Sequence, residues 1–329
     1  MNYVLGLGFI NLFIAFLVTK SLVPYLIKFG TQYNLLDKHE ERKQNKKGMV
    51  RIGGISILIG FLISQFFTSI FLNFNIFSNV GLNLNTIPLL FGILFFFIIG
   101  LFDDLFNLSP YLRLFFQTFG MSFVWANGLS INSLDISFLP FNSNVLVLSP
   151  LTSYLITFLW LVGVTNAINW IDGLDGLSTG VTLINFLGIA FISFSLENTS
   201  IFYLSLSLTG CCIGFLIFNF FPSKIYMGDS GSYLIGFSLA CLSLLTFDDV
   251  NSDLSNNLVF LQKSFLLVLV PFLDMFVVIF LRLRSGKSPF FPDRLHLHFR
   301  LLDRFKDVKK TVFTIYGLVF SSTMIAIFL

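Results

Sequence analysis

Charge is scarce in this sequence. Asp, Glu, Lys and Arg make up 11% of its 329 residues and hydrophobic residues 55%, whereas about a quarter of a soluble domain is charged. That scarcity excludes a water-soluble globular enzyme, and without a polar majority a disordered chain is excluded too. Only three cysteines occur, Cys211, Cys212 and Cys241. Each sits within an apolar run as a small hydrophobe, so neither a disulfide framework nor a thiolate metal centre is expected. A net charge of +3 with no basic domain leaves nothing to meet a nucleic acid. No sequence-level repeat is visible, which weighs against transporter folds built from duplicated halves.

What the chain does have is long hydrophobic runs. A helix crossing a bilayer needs about 20 mostly apolar residues, and ten runs of this kind lie near residues 3–25, 51–73, 86–102, 110–127, 151–168, 179–196, 200–221, 230–247, 262–282 and 311–329. The remainder is short loops, so residues 1–329 are read as a single all-α, polytopic membrane unit of about ten transmembrane helices. The first run has no Lys or Arg ahead of it and no small-residue cleavage site, as expected of a retained helix. The 45 phenylalanines point to lipid-facing helix surfaces. Basic residues follow runs one, three, seven and nine: Lys28 to Arg51, Arg113, Lys224, and Arg282 to Lys310. With both termini outside, all of these fall on the cytoplasmic side, while Asp135, Glu197, Asp248, Asp249 and Asp253 fall outside. The basic segment 37–51 serves as a topology-fixing loop against anionic headgroups, or else Arg42, Lys43 or Arg51 helps hold a phosphate.

Four polar segments fall on the cytoplasmic side in that topology. Asp103-Asp104 ends an apolar run, where repulsion and partial desolvation suit a metal-linked or base role; read blandly, the pair marks a helix end before the turn at Ser109-Pro110. In Asn166-Ala167-Ile168-Asn169-Trp170-Ile171-Asp172-Gly173-Leu174-Asp175-Gly176, a polar residue recurs every third position, about 60° apart around a helix. Gly173 and Gly176 invite the backbone to leave it. Such oxygen donors suit Mg²⁺, which takes one or two protein ligands and completes its shell with water and phosphate. Gly228-Asp229-Ser230-Gly231-Ser232 opens a helix with free N–H groups for phosphate and one carboxylate for a divalent ion, unless Asp229 or Ser230 is merely a cap. Asp293-Arg294-Leu295-His296-Leu297-His298-Phe299-Arg300 has the composition for contact with a diphosphate or its sugar. Read blandly, its histidines belong to a solvated amphipathic loop. Asp274, inside the ninth run, is expected to be functional or paired.

These four motifs, in this order, resemble those of the polyprenyl-phosphate N-acetylhexosamine-1-phosphate transferases (glycosyltransferase 4 type), over nearly the whole chain. The likeness is greatest to the branch of the WecA and TagO type, which moves GlcNAc 1-phosphate from UDP-GlcNAc to undecaprenyl phosphate; the phospho-MurNAc-pentapeptide transferases are close cousins and the alternative. The resemblance implies a UDP-sugar donor, a polyprenyl phosphate acceptor, Mg²⁺ or Mn²⁺ as cofactor, a bacterial inner-membrane location and compatibility with a homodimer. It places Asn169 and Asp229 on the metal, Asp175 at the uracil and Asp103 and Asp104 beside the acceptor phosphate. Asp172 is the remaining motif carboxylate, and Asn166, Arg294, His296 and His298 fall to substrate. Two positions depart from the related patterns. Asn107 stands where the pentapeptide branch has a Lys, and Phe299 replaces a His common to the His-rich loop. A secondary transporter is the competing class; it would need polar residues near the bilayer midplane, where Asp274 is the one carboxylate placed.

Overall fold

Each of the ten apolar runs holds a helix in the computed structural model, which describes residues 2–36, 48–71, 86–135, 145–246 and 259–329. The helices are α1 (Asn2–Gln32), α2 (Gly54–Phe71), α3 (Thr86–Phe106), α4 (Pro110–Ala126), α5 (Pro150–Ile171), α6 (Leu177–Ser195), α7 (Thr199–Asn219), α8 (Gly228–Leu245), α9 (Val259–Arg284) and α11 (Val308–Phe328). Between the last two lies a short amphipathic helix, α10 (Leu297–Phe305). Among the described residues the departures from an all-helical chain are a pair of three-residue antiparallel strands, β1 (Ser133–Asp135) and β2 (Val145–Val147), and an isolated antiparallel bridge between Leu36 and Val50.

Among the described residues, seven helices (α1, α3, α5, α6, α7, α9 and α11) are long and apolar enough to cross a membrane. The other three expected spans, α2, α4 and α8, are helical too: α2 and α4 are short, and α8 opens on the polar run Gly-Asp-Ser-Gly-Ser. The chain is a polytopic helical membrane protein. Its outer surface agrees, because Phe13, Phe115, Phe119, Phe191, Phe280 and Phe320 are all exposed, an arrangement that water would punish and lipid tails accept.

Several helix starts are written locally. Ser109-Pro110 and Ser149-Pro150 begin α4 and α5, with each Ser hydroxyl accepting an N–H of the first turn and each Pro occupying a position whose N–H has no helical partner. Asn198 and Asp307 cap α7 and α11 in the same way.

At the centre is α8, buried from Ser230 to Ser243 and packed against α2, α3, α5, α6 and α9. Its small polar residues are tolerated because no lipid reaches them; Ser238, for example, donates to the Leu234 carbonyl at 2.7 Å. α1 lies along α7 and α2, α4 along α3 and α5, and α11 along α6 and α9. Close approach of α3 to α8 depends on Gly100, where a Cβ would overlap the Asp229 carbonyl. That contact brings Asp103 and Asp104, one turn further on, against the start of α8.

Candidate active site

Five connections meet at one end of the bundle: the residues entering α2, the turn between α3 and α4, the end of α5, the segment between α7 and α8, and the α9–α10 loop. Between them lies a cavity of about 360 Å³ lined by Arg51, Arg113, Asn169, Trp170, Asp172, Gly173, Leu174, Asp175, Asn219, Tyr226, Met227, Gly228, Asp229 and Phe299.

Asp229 is its electrostatic focus. Oδ2 accepts from Arg51 Nη2 at 2.8 Å and lies 3.8 Å from Arg113 Nη1, while Oδ1 accepts from Asn169 Nδ2 at 2.7 Å. Asn169 Nδ2 also lies 2.9 Å from Ser232 Oγ. Two guanidiniums thus face three carboxylates in the cavity wall, Asp172, Asp175 and Asp229, leaving one negative charge in excess when all are ionised. A diphosphate would be repelled by that excess unless a cation accompanied it. The available donors are carboxylate and amide oxygens, the set that Mg²⁺ prefers. Among the described residues no three of His, Cys, Asp and Glu gather as a metal cage.

Asp103 and Asp104 do not line this cavity. Asp103 accepts from the Leu108 N–H at 2.8 Å with Oδ1 and from Arg113 at 2.7 Å with Oδ2. It closes the turn and aims the arginine together. The Asp104 side chain is wholly buried. Its Oδ1 accepts from the Asp229 N–H at 2.8 Å and from Arg51 Nε at 2.9 Å, and its Oδ2 from the Ser230 N–H at 2.9 Å. Asp104 is therefore the cap of α8, supplied from α3, and it satisfies N–H groups that the helix start leaves without partners.

The run from Asn166 to Asp175 divides. α5 ends at Ile171, and Asn169, Asp172 and Asp175 turn to the cavity. Asp172 accepts from Ser178 Oγ at 2.5 Å, and Asp175 from the Ser223 N–H at 3.0 Å. Asn166 instead pairs with Gln117, donating to Oε1 at 2.8 Å, and both line a second hollow. That one is an apolar groove of about 200 Å³ between α4, α5 and α9, with Leu114, Phe158, Leu159, Val162, Met275, Phe276 and Ile279 in its walls. Arg113 and Trp170 line groove and cavity alike.

The His-rich segment reaches the cavity only through Phe299. Arg294 is exposed, pairing with Asp303 at 3.0 Å and lying over the Phe299 ring. His296 is buried, with Nδ1 2.8 Å from Asp274 Oδ2 and Nε2 3.4 Å from Arg282 Nη2. His298 is buried against Gly173, with no hydrogen-bond partner for either ring nitrogen among the described residues. Burial, followed by the neighbouring His296, pushes its pKa down from 6.5 to about 3, so this imidazole is neutral at pH 7. Burial opposes ionisation of Asp293, but its hydrogen bonds to Arg282 prevail and hold the carboxyl below its usual range.

Among the basic candidates of segment 37–51, Arg51 is a wall of the cavity; Arg42 and Lys43 lie outside the described residues. The motif reading gave no site role to Arg113, Trp170, Tyr226, Asn219 or Gln117. Arg113 and Gln117 carried a usable signal, since both interrupt an apolar run, where polar side chains are costly. Asp248, Asp249 and Asp253 also lie outside the described residues.

Comparison with known proteins gives the following. The Glycosyl transferase family 4 profile matches residues 86–247. A probable undecaprenyl-phosphate N-acetylglucosaminyl 1-phosphate transferase of Bacillus subtilis is 30% identical over 324 residues, covering 97% of this chain and 85% of that protein. A decaprenyl-phosphate N-acetylglucosaminephosphotransferase of Mycobacterium leprae is 36% identical over 233 residues, 66% of this chain and 58% of that one. A phospho-N-acetylmuramoyl-pentapeptide-transferase of Prochlorococcus marinus is 28% identical over 313 residues, 90% of this chain and 82% of that protein.

Proposed function

The chain belongs to Glycosyl transferase family 4, and from that premise we propose that it moves a sugar 1-phosphate, GlcNAc 1-phosphate foremost, from a UDP-sugar to a polyprenyl phosphate with release of UMP. Transfer of a sugar phosphate to polyprenyl phosphate is the activity its relatives' names share. The observation that carries the reading is the meeting of a charged cavity with an apolar groove at Arg113 and Trp170. One hollow suits a nucleotide diphosphate and the other the first isoprene units of a lipid, so the two phosphates meet where the hollows join.

An oxygen of the lipid phosphate attacks the β-phosphorus of the donor. A P–O bond forms there as the bond to UMP breaks, and UMP leaves with the electron pair. No base is required, because a phosphate monoester with a second pKa near ~6 is already largely ionised at neutral pH. Arg51 and Arg113 supply fixed positive charge beside the reacting phosphates. Their guanidiniums are held in place by Asp103, Asp104 and Asp229, so little reorganisation accompanies transfer. Asn169 and Asp229 are the residues that would hold Mg²⁺, with Asp172 alongside. When bound, the ion supplies neutralisation of the diphosphate charge and orientation of the donor. The Asp172–Asp175 turn, with Leu174 and Tyr226, forms the wall left for the nucleoside.

Arg51, Arg113, Lys224 and the basic stretch from Arg282 to Lys310 belong to connections at the cavity's end of the bundle. That arrangement supports a cytoplasmic site in a bacterial inner membrane with both chain termini outside.

The assay is UMP release by full-length protein in lipid nanodiscs supplied with UDP-GlcNAc, UDP-GalNAc or UDP-MurNAc-pentapeptide. Release that requires both polyprenyl phosphate and Mg²⁺, and stops with EDTA, is expected. Release without lipid phosphate would overturn the reading, and release from the pentapeptide donor alone would transfer it to the phospho-MurNAc-pentapeptide branch.

A further inference from the structure

Asp274 is a carboxylate in the middle of α9, 6% exposed, and in a membrane helix such a group needs partners. It finds them outside its own helix. Oδ2 lies 2.8 Å from His296 Nδ1, and Oδ1 accepts the N–H of Leu297, the first residue of α10, at 2.7 Å. One carboxylate thus fixes the start of α10 and the orientation of an imidazole. A carboxylate on Nδ1 makes that nitrogen the N–H donor, so Nε2 presents its lone pair to Arg282 Nη2.

Arg282 is itself clamped. Asp293 holds Nε at 2.8 Å and Nη2 at 3.0 Å, and the Pro289 carbonyl holds Nη1 at 2.5 Å, a two-pronged arrangement that fixes the guanidinium plane. That guanidinium lies 5.2 Å from the centre of the Trp170 indole, within the range of a cation–π contact. His296 meets the same indole edge-on, with ring centres 5.7 Å apart and planes at 76°. Trp170 is therefore bracketed on two sides by groups whose positions trace back to Asp274. None of Asp274, His296 and Arg282 lines the charged cavity or the apolar groove, whereas Trp170 lines both.

We propose that Asp274 is a positioning residue that acts through His296 and Arg282 to hold the Trp170 ring as the partition between cavity and groove, so that the lipid headgroup enters in register with the donor diphosphate. This rests on the transferase reading above. His296 then serves the reaction as a strut and not as a donor ligand.

The test uses full-length protein in nanodiscs with Trp125→Phe and Trp160→Phe, which leaves Trp170 as the sole indole. Asp274→Asn should raise acrylamide quenching of Trp170 fluorescence. It should also raise KM for polyprenyl phosphate about tenfold while KM for UDP-GlcNAc stays unchanged, as loss of acceptor positioning predicts. Trp170→Leu, in otherwise native protein, should likewise raise the KM for polyprenyl phosphate while leaving Asp274, His296, Arg282 and Asp293 in place. Unaltered Trp170 quenching in folded Asp274→Asn protein, or a fall in kcat with neither KM changed, would overturn the proposal. Should Asp274→Asn fail to fold, an unchanged lipid KM in Trp170→Leu overturns it. Absence of UMP release by the native protein would instead defeat the transferase reading, and the quenching comparison would still decide whether Asp274 holds the indole.

Discussion

Two aspartates in this site, Asp229 and Asp104, do different things. Asp229 is in the cavity wall, where Arg51, Arg113 and Asn169 converge on it. Asp104 is wholly buried behind it and spends both oxygens on the first N–H groups of α8 and on Arg51. Asp229→Asn should lower turnover at least about 100-fold by removing a metal-binding charge, with thermal stability in detergent kept. Asp104→Asn should lower turnover comparably but for another reason. An amide N–H would face the backbone N–H of Asp229 or Ser230, leaving a buried donor unmet at about 1–3 kcal/mol, so the melting temperature should fall as well. Equal melting temperatures for the two variants would contradict this division. The adjacent pair Asp103-Asp104 is visible in the sequence, but its capping and turn-closing duties are not, because they depend on which carboxylate faces α8.

Helix contacts explain how such different duties come about. α3 reaches the first turn of α8 only because Gly100 has no side chain there. Gly100→Val should push α3 off α8, separate Asp104 from the N–H groups it caps, and reduce both melting temperature and UMP release, since overpacking of this kind costs about 1–3 kcal/mol. Gly317→Ala in α11, where an added Cβ meets nothing within 4 Å, should leave activity intact and stabilise slightly through helix propensity. Similar loss in both variants would show that close packing at Gly100 is not what the loss depends on. The helices themselves were legible from hydropathy, and the Ser-Pro starts of α4 and α5 from capping chemistry. α10 was not: nine residues with His, Arg and Asp read as loop, since its apolar face is short and its start is fixed by Asp274, more than twenty residues earlier.

For the whole molecule, the decisive arrangement is that five separate connections gather at one end of the bundle around a charged cavity that shares Arg113 and Trp170 with an apolar groove. In a background without Cys211, Cys212 and Cys241, single cysteines at the exposed positions Lys224, Arg284 and Lys309 should react with an impermeant maleimide from one face of the membrane, and a cysteine at the exposed Glu197 from the other. Opposite labelling of Lys224 and Lys309 would separate parts of the proposed site and end the single-face reading.

Hydropathy and motif chemistry are local, and they suffice for the helices and for the segments that bear charge. Facing is not local. That Asp229 meets the cavity while Asp104 caps a helix behind it, that Arg113 and Trp170 stand between two hollows, and that His296 braces an indole were all settled by how α3, α5, α8 and α9 pack. Each depends on rotations of helices about their own axes, and such a rotation is fixed by contacts between residues far apart in the chain.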